Sequence, residues 1–136
     1  MTADKIIEKS VSVKGGKITF MKENIIHVEY DDDHLDLETV KNVFLASRQN
    51  SPWDVAPVLI SGGTFTNQDR EAREFSGSEE VMKHCSAIAF ISSTMAEKLL
   101  ANFFIKLMKP TKPTRFFATK EECINWLQQF ESIPKK

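Results

Sequence analysis

Apolar and polar positions change their period along this chain. Near the start they alternate in twos: Val11 and Val13 flank Ser12, Ile18 and Phe20 flank Thr19, and Ile26, Val28 and Tyr30 enclose His27 and Glu29. Such alternation predicts half-buried strands. Gly15-Gly16 marks a turn and Lys22-Glu23-Asn24 a tight connection. The pattern predicts a hairpin of residues 17–21 with 25–30, after an earlier strand around 6–13.

Further on, a short apolar run followed by an amphipathic helix occurs three times. The runs are Ala56-Pro57-Val58-Leu59-Ile60, Ala87-Ile88-Ala89-Phe90-Ile91 and Arg115-Phe116-Phe117-Ala118. Continuous apolar runs read as strands covered on both faces, and the intervening helices supply the cover. Strands are expected at 57–61, 87–92 and 114–118.

Helix starts are marked by side chains able to cap the first free backbone N–H groups. Asp36 precedes Leu37, Val40 and Phe44 at helical spacing, and this helix should fade before Ser51-Pro52. Thr66-x-x-Asp69, Thr94-x-x-Glu97 and Thr119-x-x-Glu122 each resemble a capping box. They predict a second helix from Thr66, divided or kinked at Gly77-Ser78, and a third that Pro110 stops. The last carries Cys123, Ile124, Leu127 and Phe130. Residues 1–4 and 133–136 should fray. The fold class is α/β: one domain over 1–136, with a mixed sheet of about five strands and about four helices.

Composition narrows the function classes. The 136 residues are 41% hydrophobic and 27% charged, with a net charge of −1, which fits an ordinary globular domain and gives no general attraction to nucleic acid. Cys85 and Cys123 are isolated and lack CxxC spacing, so a reducing cytoplasm is expected and a disulfide framework is not. The N-terminus has no apolar signal core, and the longest apolar stretch, 99–108, is too short to span a bilayer.

The order of elements and several strings resemble the bacterial STAS-like proteins, in particular the SpoIIAA-like group, over about residues 17–131. The strings are Asp69-Arg70-Glu71-Ala72-Arg73-Glu74-Phe75, Ser86-Ala87-Ile88-Ala89-Phe90-Ile91, Asn102-Phe103-Phe104 with Lys109-Pro110-x-x-Pro113 and Arg115-x-Phe117, and Trp126-Leu127. The resemblance implies a single STAS-like sandwich. Members are mostly of unknown function. STAS domains act as interaction modules, some switched by phosphorylation of a Ser or Thr near the start of the second helix, and related folds carry lipids. This chain reads Ser61-Gly62-Gly63-Thr64-Phe65-Thr66-Asn67 there, without the Asp-Ser string of the switch.

Each candidate site has a plainer reading beside it. Thr64 and Thr66 sit where a switch hydroxyl is expected, where a phosphate would suit a helix N-terminus; Thr66 is equally a helix cap. Arg70 and Arg73, three apart on a helix, suit a carboxylate or phosphate, although Asp69, Glu71 and Glu74 can neutralise them locally.

The third helix is the most informative surface. Its apolar positions, among them Leu99, Leu100, Phe103, Phe104, Leu107 and Met108, cover about 220° of arc. A helix lying on a sheet needs a stripe of little more than about 100°. The surplus predicts a neighbouring helix, a homodimer interface or an apolar ligand. Lys106, Lys109, Lys112 and Arg115 beside it form a basic stretch that suits an anionic membrane surface, an acidic partner or simple solvation.

Asp31-Asp32-Asp33-His34-x-Asp36 lacks the glycine and distal glutamate of a calcium loop, so a solvated turn is expected and no metal or cofactor. No set of acid, base and nucleophile converges. A non-enzymatic interaction module is the leading expectation, and a carrier of a lipid or small apolar ligand is the alternative. The carrier predicts a cavity behind the third helix, lined by Leu100, Phe103, Phe104 and Phe117.

Overall fold

The structure, a computed structural model, describes residues 8–32, 34–62, 68–92, 94–108 and 111–135. The chain opens with three antiparallel strands, β1 (Lys9–Val13), β2 (Gly16–Phe20) and β3 (Ile26–Tyr30). Gly15 turns between the first two at φ +100°, in the left-handed region open to glycine. Three crossovers then add parallel strands. Helix α1 (Leu37–Asn50) leads to β4 (Trp53–Ser61), and α2 (Arg70–Ser76) with α3 (Glu79–Met82) leads to β5 (Cys85–Ile91). Helix α4 (Met95–Met108) leads to β6 (Thr114–Phe117). The sheet order is β1-β2-β3-β4-β5-β6, parallel from β3 onward. The last helix is α5 (Lys120–Leu127).

The expected caps form at three helices. Asp36 accepts the Thr39 N–H at 2.9 Å, Thr94 Oγ1 accepts from Glu97 at 3.0 Å, and Thr119 Oγ1 accepts from Glu122 at 3.1 Å. Bonding to the Thr39 backbone also holds the Asp36 carboxyl below the usual aspartate range.

The second helix departs from expectation. It begins at Arg70, with Asp69 extended before it, rather than at Thr66. Gln68 forms an isolated parallel bridge with Leu35, and the Asp69 N–H donates to Leu35 O at 3.0 Å, so the backbone there is tied to the loop before α1. The helix then divides at Gly77, as the sequence allowed, giving five helices among the described residues.

Among the described residues the sheet has seven strands rather than about five. The tail expected to fray contains β7 (Ile133–Pro134), antiparallel to the start of β4. Lys135 N–H donates to Pro52 O at 3.0 Å. This pairing is why β4 starts at Trp53, four residues before the apolar run suggests.

The two faces of the sheet are covered differently. Helix α5 packs on one, closing a cluster of Met21, Ile25, Leu59, Ala87, Ala89, Cys123 and Leu127. Helix α1 packs on the other, setting its Val43 and Ala46 over Ile18, Phe20, Ile26, Val28, Trp53 and Ala56. Alternation along each strand assigns the faces: Phe116 stacks on Phe90 at 4.5 Å, whereas Phe117 meets Trp126 of α5 at 5.7 Å.

Candidate functional site

On the α1 side, the sheet and its helices do not close on each other. A cavity of about 210 Å³ remains between them. Its floor is Ile26 and Val28 of β3, Val58 and Ile60 of β4, and Ile88 and Phe90 of β5. Its roof is Val40, Val43 and Phe44 of α1, Phe75 of α2, Val81 and Met82 of α3, and Ile105 of α4. The roof has a structural cause. Gly77 breaks the second crossover into helices of seven and four residues, which cover less sheet than one continuous helix would.

The two ends of the cavity differ in their polar groups. At the end near the start of β5, Arg48 Nη2 reaches Asp54 at 3.4 Å and Arg48 Nη1 donates to Trp53 O at 3.3 Å. His84 Nδ1 lies 2.9 Å from Asp54 O, and Cys85 also lines this end. Burial pushes the Cys85 thiol up to about 11, so it is protonated at neutral pH. Cys123, on the α5 side, is pushed up to about 12, first by burial and then by Glu122.

The other end lies at the C-terminal ends of the parallel strands, where open α/β sheets form their crevices. Tyr30, Gln68, Ser76 and Arg73 line it. A smaller adjoining cavity of about 60 Å³ shares Tyr30, Ile60, Gln68, Ser76 and Phe90, and adds Gly62, Glu97 and Phe116. Gly62 has φ +74°, and a Cβ there would lie 2.1 Å from the Tyr30 carbonyl oxygen. Only glycine lets the end of β4 pass this close to the end of β3. His34 Nε2 holds Asp69 at 2.9 Å nearby.

Tyr30 carries the most perturbed oxygen group in this region. Burial raises its phenol to about 12, so it is held as a neutral hydroxyl. Among the described residues its hydroxyl has no hydrogen-bond partner.

The two arginines picked out by their spacing take different roles. Arg70 Nε pairs with Glu74 at 3.2 Å on the exposed side of α2. Arg73 donates to Gln68 O at 3.3 Å and lines the cavity, and no carboxylate lies within 4.0 Å of it among the described residues. Thr64 and Thr66 lie outside the described residues.

On α4, Ala101 is buried and Ile105 faces the cavity, whereas Met95, Leu99 and Phe103 are 65%, 64% and 57% exposed. These three lie four residues apart and form one outward apolar stripe. The side chains of Leu100, Phe104, Leu107 and Met108 lie outside the described part of this helix. The walls expected for an apolar-ligand site therefore need correcting at two positions. Phe103 faces outward, and Phe117 sits on the opposite face of the sheet, against α5. Sequence reasoning missed Tyr30, Phe44, Phe75, Ile88 and Phe90 as site residues. Each lies on the apolar face of its element, and position in a stripe does not separate a cavity wall from a packed core.

No helix among the described residues is long and apolar enough to cross a membrane, and no three His, Cys, Asp or Glu among them are placed to hold a metal ion.

The crystal structure of an uncharacterised protein of the DUF3478 family from Shewanella loihica PV-4, with a SpoIIAA-like fold, is similar to this chain. The TM-score is 0.51 and the identity 11%, over 89% of this chain and 92% of that one. That likeness establishes a SpoIIAA-like fold, the fold the sequence resemblance implied. No curated protein sequence matches the chain. The model of a domain of unknown function, DUF7793, matches residues 19–131, which include every described residue of the cavity wall, and the chain belongs to that family.

Proposed function

We propose that this protein is a non-enzymatic binding module that holds a small apolar ligand between its sheet and the α1–α4 layer. The cavity carries this reading. At about 210 Å³ it exceeds the ~150 Å³ apolar cavity that admits benzene. It falls below the ~300 Å³ at which pockets for drug-sized ligands begin. Water entering an apolar space of this kind finds few polar partners on the walls, which favours an apolar occupant. The groups on its walls suit binding rather than chemistry: carbon dominates, the Cys85 thiol is protonated, and His84 Nδ1 is engaged by Asp54.

An NMR titration of the ¹⁵N-labelled chain with 1-octanol tests the proposal. Shifts are expected at the amides of Val58, Ile60, Ile88, Phe90 and Val43. Shifts confined to Met95, Leu99 and Phe103, or no saturable shifts, would overturn it.

A second reading rests on the outward stripe of α4. Met95, Leu99 and Phe103 form an exposed apolar row of the kind used for association, and we propose protein contact there, with a second copy of the chain as the simplest partner. Light scattering across a concentration series should show a dimer that Leu99→Lys abolishes. A monomer at every concentration would remove the homodimer.

A further inference from the structure

We infer that the ligand is a small amphipathic carboxylic acid, its tail in the cavity and its carboxylate held by Arg73 and Tyr30 at the C-terminal ends of β3, β4 and β5. This rests on the cavity being a ligand site. The polar ends of that cavity decide the head group. At the far end the cation is already satisfied, because Arg48 faces Asp54 and His84 is bonded to the same residue. At the near end two hydrogen-bond donors are unspent. The Arg73 guanidinium meets only the Gln68 carbonyl, with no carboxylate within 4.0 Å among the described residues. The Tyr30 hydroxyl has no partner among them.

An arginine fork and a neutral phenol are both donors, so they select an acceptor, and the guanidinium selects an anion. Arg73 is exposed as well as lining the cavity, which places it at the opening where a head group stays partly hydrated. The acidic groups of the region do not fill that place. Glu74 is engaged by Arg70, and Glu97 lines only the smaller cavity. The volume limits the tail to one medium-length chain or one substituted ring, so a two-chain lipid does not fit.

The test compares three probes of one chain length, octanoate, 1-octanol and octylammonium, by calorimetry at neutral pH. Octanoate should bind about tenfold or more tightly than 1-octanol, since a hydrogen bond to a charged group is stronger than one to a neutral group. Arg73→Gln should abolish that preference by weakening octanoate far more than 1-octanol. Tyr30→Phe should weaken octanoate severalfold. Equal affinity for octanoate and 1-octanol, or tighter binding of octylammonium, would overturn the acid assignment and leave the apolar cavity standing. Failure of all three to bind would overturn the cavity reading and this inference with it. The comparison of probes on the unmodified chain does not depend on how any variant folds.

Discussion

The two faces of the sheet solve the same packing problem with opposite side chains. Toward α5, β4 and β5 present Leu59, Ala87 and Ala89, all with no exposure, and α5 answers with Cys123 and Leu127, equally closed off. Two alanines let the helix come down onto the strands, and the edges are sealed by Phe117, Trp126 and Phe130 in ring contact. Toward α1 the same strands present Val58, Ile60, Ile88 and Phe90, which are larger, yet a cavity of about 210 Å³ persists there. A shortage of side-chain volume therefore does not explain the space. The space coincides with a roof made of several helices, with α2 and α3 divided at Gly77. The face of small residues under one helix is closed; the face of larger residues under several shorter helices keeps a cavity.

The sharpest way to break this contrast is to remove volume from the closed face. Leu127→Ala should cost about 2–5 kcal/mol in urea unfolding, because nothing can collapse into the gap. A loss under about 1 kcal/mol would mean that the α5 face is as loose as the other.

Adding volume gives the next largest difference. Ala89→Leu should destabilise by about 1–3 kcal/mol, since the closed face has no room. Val58→Leu grows into the cavity and should be neutral or stabilising by up to about 2 kcal/mol, while weakening 1-octanol binding. Equal penalties for the two variants would erase the distinction.

Acid should act through His27, which points away from the cavity and is 4% exposed, with Nε2 2.8 Å from Ser61 Oγ. Burial, opposed by Glu29 and aided by Lys120 and Lys17, lowers its imidazole below 6.5. The unfolded chain then binds the proton at higher pH than the folded one. Stability should be level above about pH 6.5 and fall as pH drops below it. His27→Gln should flatten that limb in a pH series of thermal melts. A slope unchanged by the variant would assign it to other groups.

The smallest stability effect is expected on α4. Leu99→Lys lies on an exposed stripe and should shift monomer stability by no more than about 0.5 kcal/mol. Thermal melts at low protein concentration measure this. A larger loss would mean that the stripe packs within the chain.

Much of the fold was legible because its signals are local. Alternation located β2 and β3, and Asp36, Thr94 and Thr119 marked helix starts through hydrogen bonds spanning three residues. Thr66 misled because the same spacing says nothing of Leu35, whose bridge to Gln68 delays the helix to Arg70. The strand at the C-terminus was illegible for a related reason, since Ile133 and Pro134 form one only against Trp53 and Val55. The excess apolar arc of α4 did forecast an unsatisfied surface. It did not say which residues turn outward, and Phe103 and Leu99 do.

The sequence by itself determined the α/β alternation, the antiparallel-then-parallel sheet and most helix starts, because hydrophobic period and capping act over a few neighbouring residues. Only the tertiary structure decided that one face closes and the other opens, and that Arg73 and Tyr30 share a cavity whereas Arg70 turns to Glu74. Those outcomes depend on how far the helices stand above the sheet. That distance is set by packing between residues far apart in the chain, and local patterning does not encode it.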